Sequence, residues 1–152
     1  MSDPGDASGT YAEIRAAVRK LCAAFPGPYW RDLDRRSAYP TAFVAALSEA
    51  GYLAALIPEA YGGAGLPLSA AAAILEEVQR AGCNGAACHA QMYVMGALLR
   101  HGSEAQKRRY LPEIAAGRLR LQAFGVTEPS AGTDTTSIRT FAARSEEHTS
   151  EL

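Results

Sequence analysis

The stretch FGVTEPSAGTD, residues 124–134, concentrates the groups of this 152-residue chain best suited to holding a ligand. Val126 and Thr127 close a short apolar run, so a compact hydroxyl sits on a backbone fixed by what precedes it. Pro129, Ser130, Ala131 and Gly132 then turn the chain tightly and expose backbone N–H groups. Asp134 suits a turn cap that accepts backbone N–H bonds better than it suits chemistry. Taken singly, each of these residues also fits an ordinary strand, turn and N-cap. Other reactive side chains are less organised. Cys22, Cys83 and Cys88 form no C-x-x-C pair, and Cys83 and Cys88 with His89 lack the second pair of ligands that a four-ligand zinc site needs. They read as reduced, small core residues. Lys107, Arg108 and Arg109 could meet phosphate, although a solvated helix face is the commoner use of such a run. His89 reads as buried or locally bonded and His101 as lying near a helix C-terminus, neither with an assigned function.

Helices must carry these groups. Tyr11, Ile14, Val18, Leu21, Cys22 and Phe25 recur at helical spacing, with Glu13, Arg15, Arg19 and Lys20 largely on the opposite face. Pro26, Gly27 and Pro28 predict its end, and YWRDLDRRSAY reads as a connection. Pro40 suits a first helical residue, Phe43, Val44 and Leu47 form a stripe, and Gly51 supplies the stop. LIPEAYGGAGLPL has too many breakers for a regular element. Ser69 predicts the cap of a third helix with Ile74, Leu75 and Val78 inward. Residues 85–100, almost uncharged, predict a central helix buried all round. Ser103 and Gln106 have the spacing of a capping box for a helix with Tyr110, Leu111 and Ile114 inward, closed by Gly117. Beyond it, RLRLQAFGVT predicts a strand.

At 48% hydrophobic, 20% charged and a formal net charge of −1, the composition predicts one soluble domain with a core, and no electrostatic footprint for nucleic acid or an anionic membrane surface. The start MSDPGDASGT lacks a basic region and an apolar segment, and no apolar run reaches spanning length, so a cytoplasmic protein is expected.

Residues 124–140, FGVTEPSAGTDTTSIRT, resemble the flavin-binding signature of the acyl-CoA dehydrogenases. Two further blocks agree in order and spacing. LSEAGYLAALIPEAYGGAGL resembles the family's helix and its Pro-Glu-x-Tyr-Gly-Gly loop, and HGSEAQKRRYLPEIAAGRL resembles the helix leading into the signature. The resemblance spans residues 11–143 and implies a mainly α fold: the N-terminal helical domain of that family, plus the first strand of a truncated middle β-domain. It implies FAD as cofactor, with Phe124, Gly125, Val126 and Thr127 forming the flavin-side wall and Gly132 and Thr133 near the bound groups. Compact donors suit that task because one ring face must stay open to substrate. Thr133 matches a position along the thioester arm, and Cys88, Gln91, Met92 and Met95 either contact the acyl chain or pack the core. In the family the catalytic base comes from a later helical domain, so Glu128 is not assigned as a base and no residue here is assigned as catalytic. Implied partners are an acyl-CoA thioester and an electron-transfer flavoprotein, with a homo-oligomeric parent.

The expected organisation is a disordered start at residues 1–10, a helical domain at 11–118, the beginning of the β-domain at 119–143 and a foreign tail at 144–152. RSEEHTSEL, from Arg144 to Leu152, matches the in-frame translation of a widely used sequencing adapter over nine codons. The chain is therefore expected to be an inactive fragment of a dehydrogenase. A flavin-dependent oxidase or monooxygenase-like relative and a cofactor-free helical interaction module are the alternatives.

Overall fold

A computed structural model describes residues 11–141 and shows a mainly α chain. The expectations for residues 1–10 and for the tail beginning at Arg144 lie outside the described residues. The helices are α1 (Ala12–Cys22), α2 (Gly27–Arg35), α3 (Thr41–Glu49), α4 (Leu68–Arg80), α5 (Ala86–His101) and α6 (Glu104–Ala115). Short 3-10 turns at Tyr52–Ala54, Glu59–Tyr61 and Thr135–Ser137 punctuate the connections.

Local chemistry explains most boundaries. Gly51 and Gly117 take φ of 77° and 71°, the left-handed conformation that a helix stop needs and that a Cβ disfavours. At α6 the capping box forms: the Gln106 amide donates to Ser103 Oγ at 3.2 Å, and the Ser103 amide donates to Gln106 Oε1 at 2.8 Å. Ser103→Ala is expected to lower stability by about 1 kcal/mol, and a urea-unfolding midpoint equal to that of the parent chain would contradict it.

Several elements differ from expectation. α2 occupies part of the expected connection. Pro28 falls in its first turn, where a missing N–H costs nothing, and Asp32 pairs with Arg35 at 3.4 Å and Arg36 at 2.7 Å. Pro67, rather than Ser69, precedes α4; Ser69 lies in the first turn and its hydroxyl meets the Tyr11 hydroxyl at 2.8 Å. The expected strand at residues 118–127 is not formed: among the described residues no ladder is present, because a lone extended segment has no neighbour to exchange hydrogen bonds with.

The core has two parts. Val18 and Cys22 of α1, Phe43, Val44 and Leu47 of α3, and Ile74 and Val78 of α4 make the larger one. Phe43 sits edge-on to Phe25 and Trp30 within it. Ile57, Met95, Leu111 and Ile114 make the second, against which Leu119 and Leu121 pack. Arg15, expected to be outward, is buried between α1 and α4, its Nη1 at 2.9 Å from Glu77 Oε1 and 2.7 Å from Glu76 Oε2. α5 is also not enclosed all round. Cys88, Gln91, Met92 and Met95 face inward, whereas His89, Tyr93 and Ala97 remain exposed, so an uncharged helix face stays open at the surface. That open face positions the candidate site.

Candidate functional site

α4 and α5 bound a groove of about 240 Å³ lined by Leu68, Ala71, Ala72, Leu75, His89, Met92 and Tyr93. Its walls are almost wholly apolar, as expected for a channel that receives a hydrocarbon rather than an ion. A larger hollow of about 360 Å³ lies beside α2, lined by Trp30, Asp34, Ser37 and Asn84 among others, and shares no residue with the groove or the signature. Tyr93 links groove and signature: its ring meets His89 at 4.9 Å on one side and Phe124 at 5.0 Å on the other, both edge-on.

The extended segment before the signature is tied down at several points. Tyr39 donates from its hydroxyl to Gln122 Oε1 at 2.7 Å, and Gln122 donates from Nε2 to Gln91 Oε1 at 3.5 Å. Gln91, 1% exposed, donates in turn to the Leu53 carbonyl at 3.1 Å. Leu119 and Leu121 add apolar contacts to the second core. Phe124 is thereby delivered beside α5, and among the described residues no sheet takes part.

Past Thr127 the chain forms a loop braced by its own acids. The Glu128 amide donates to the Ala131 carbonyl at 2.9 Å, and the Ala131 amide donates back at 3.2 Å. Asp134 caps the turn that follows, as its residue type suggests, accepting the Thr136 amide at 3.0 Å and the Ser137 hydroxyl at 2.6 Å. Glu128 accepts the Arg139 and Thr140 amides at 2.9 and 2.8 Å, and the Thr140 hydroxyl as well. The Thr140 hydroxyl first, then those two amides, hold the Glu128 carboxyl below the usual range. Ser137 and Thr136 hydroxyls, then the Thr136 amide, do the same for Asp134. Both groups therefore titrate lower folded than unfolded, where values of ~4.3 and ~3.9 apply. Their stabilisation is complete above those values and disappears as pH falls through the lowered folded ones. Protection of the Thr136, Arg139 and Thr140 amides, corrected for intrinsic exchange, is expected to hold from neutral pH to about 5 and to fade in more acidic buffer. Equal protection in strong acid would contradict the assignment.

The structure brings Phe124 to the open face of α5, while Gly125, Val126 and Thr127 follow it and Gly132 and Thr133 stand on the loop. Among the described residues the amides of Val126, Thr127, Gly132 and Thr133 meet no protein acceptor. Of the inward residues on α5, Met92 reaches the groove; Cys88, Gln91 and Met95 lie behind it in the core, and Gln91 spends its amide on Leu53 and Gln122. Sequence patterning did not mark His89, Tyr93, Leu68 or Leu75 as site residues. A signal existed in the uncharged outer face of α5, which a fully enclosed helix would also have produced. The three thiols are buried. Burial, with the neighbouring Cys83 thiol, pushes Cys22 up to about 12, and burial alone pushes Cys88 to about 12, so both are protonated and unreactive at neutral pH.

Residues 8–118 match the family described as "Acyl-CoA dehydrogenase, N-terminal domain". The chain belongs to the acyl-CoA dehydrogenase family. A probable acyl-CoA dehydrogenase of Mycobacterium leprae is 36% identical over 86% of the chain and 33% of its own length. Among solved structures, an acyl-CoA dehydrogenase from Geobacillus kaustophilus superposes with a TM-score of 0.72 at 28% identity, over 86% of this chain and 34% of the other. An acyl-CoA dehydrogenase from Bacillus anthracis, complexed with FAD, gives 0.65 at 30% identity over 90% of this chain and 24% of its own. The chain thus spans about a third of the length of the relatives it matches, or less, and supplies the helical N-terminal domain of an acyl-CoA dehydrogenase fold. Among the described residues, no helix is long and apolar enough to cross a membrane.

Proposed function

We propose that this chain is the N-terminal part of a flavoprotein that oxidises acyl-CoA thioesters between their α and β carbons, passing electrons on to an electron-transfer flavoprotein. The observation that carries the reading is the placement of Phe124 against Tyr93, which sets the signature beside the apolar groove. The donor set fits FAD. Phe124, Gly125, Val126 and Thr127 would line the flavin, with Gly132 and Thr133 reaching it from the loop, and their open amides and hydroxyls match the acceptor-rich edge of the ring. Bound FAD would supply a two-electron acceptor for the hydride that leaves the β carbon. The chain's own residues orient and exclude water. Apolar walls from Leu68, Leu75, Met92 and Tyr93 would receive the acyl chain, Cys88, Gln91 and Met95 would support them from the core, and the Thr133 hydroxyl would lie along the thioester arm. No residue here is assigned as the base, and Glu128 has both oxygens engaged by donors. Turnover is therefore expected of the longer gene product rather than of this chain alone.

The same reading divides the chain into a helical domain at residues 11–118, the start of a β-domain at 119–143, and a tail at 144–152 foreign to the gene, in a cytoplasmic, homo-oligomeric parent. Resequencing across Arg144 and expressing the product to the relatives' length tests it. Anaerobic addition of a saturated acyl-CoA is expected to bleach the flavin. A yellow product that acyl-CoA leaves oxidised overturns the dehydrogenase assignment, and a colourless one that FAD fails to reconstitute overturns the flavoprotein.

A further inference from the structure

Glu128 lies between the two groups of candidate flavin contacts, with Thr127 immediately before it and Gly132 and Thr133 just beyond its partner Ala131. Its main chain fixes the near side through the two-way pairing with Ala131, a residue 4% exposed. The side chain reaches further. Oε2 takes the Arg139 amide and Oε1 takes the Thr140 amide and hydroxyl, closing a loop of more than ten residues. Those amides belong to a returning segment that has no strand beside it, so a carboxylate does the work a neighbouring strand's carbonyls would do. Neutral donors surround it; neither a cation nor a second acid contributes to lowering its proton affinity.

The geometry points to Glu128 as the positioning residue of the signature: its carboxylate clamps residues 139–140 and so sets Thr127 and the Gly132-Thr133 turn at a fixed separation for the flavin. This rests on the flavoprotein reading above only in its last clause. A residue that merely filled space would be replaced without consequence by isosteric glutamine, whereas a clamp would not, because one acceptor oxygen becomes an NH₂ facing N–H donors.

Residue-resolved amide exchange on the whole chain compares the parent with Glu128→Gln, Glu128→Asp and Glu128→Ala. Exchange at Arg139 and Thr140 is expected to speed up about tenfold or more in the Gln and Ala variants, with Val78 and Ile114 unchanged as reporters of the helices. Asp, which keeps the charge on a shorter arm, is expected to restore part of the protection. Equal exchange in the parent and in Glu128→Gln overturns the clamp. In the longer gene product, Glu128→Gln is expected to weaken FAD retention severalfold and shift the flavin absorption bands; unchanged retention and bands overturn the positioning role. A gene product without flavin whose Arg139 and Thr140 amides stay protected supports the clamp and overturns the flavoprotein reading instead.

Discussion

Glu77→Ala is expected to destabilise the chain by about 3 kcal/mol, a large share of the ~5–15 kcal/mol that typically holds a domain together. Glu77 is fully buried, and its Oε1 stands 2.9 Å from Arg15 Nη1, with Arg19 Nε 3.7 Å from Oε2. Val18 and Cys22 of α1 and Ile74 and Val78 of α4 are buried on the same two helices, so truncation would remove one carboxylate partner of Arg15 from a poorly solvated seam. Glu76, 2.7 Å from the same nitrogen and half exposed, softens the loss and keeps the estimate at the lower end for a broken buried pair. Glu77→Gln should fall between the two. Combining Arg15→Met with Glu77→Leu should recover most of the stability, since a well-packed apolar pair commonly matches or exceeds a buried ion pair. Urea unfolding of the four chains measures this, and a Glu77→Ala chain within about 0.5 kcal/mol of the parent would refute the role of the pair in joining α1 to α4.

Gly63→Ala is the second large effect. A Cβ there would stand 2.1 Å from the Ile57 carbonyl oxygen and 2.4 Å from Ile57 Cβ, both far inside contact distance. The clash falls on backbone, so no rotamer change relieves it. Ile57 is fully buried against Met95, Leu111 and Ile114, and its carbonyl also accepts the Gly65 amide at 2.8 Å. The substitution must therefore move either the Pro-Glu-x-Tyr-Gly-Gly loop or the second core, a loss expected at the upper end of about 1–3 kcal/mol. Gly96→Ala in α5 is the control: an added Cβ meets nothing within 4 Å, and a gain of about 0.5–1 kcal/mol is expected. Thermal unfolding that moves both variants in the same direction would contradict the argument.

What could be read from the residues was what local chemistry decides. Ser103 and Gln106 announce a capping box because both hydrogen bonds lie within one turn, and Gly51 and Gly117 announce stops because only glycine takes left-handed φ freely. The motif at residues 124–134 was legible for the same reason, since its turn and Asp134 cap are local. Sequence and structure diverge where one residue type serves two purposes or where the partner is distant. Pro28 after a helix reads as a stop, yet the same residue sits in the first turn of α2. Arg15 reads as solvent-facing because its partner Glu77 is 62 residues away. The apolar run of α5 predicted enclosure, but one face remains open beside the signature. The groove needs Leu68 and Leu75 from one helix beside His89 and Tyr93 from another, a juxtaposition that only packing creates.

The most direct measurement is flavin retention by the relatives-length gene product and its Thr127→Val variant through gel filtration, followed by visible absorption. Loss of the hydroxyl should leave the helical domain folded and release much of the flavin from the variant, while the parent elutes yellow. Equal retention in the two proteins, or a colourless parent, would contradict the proposal that Thr127 contacts the flavin.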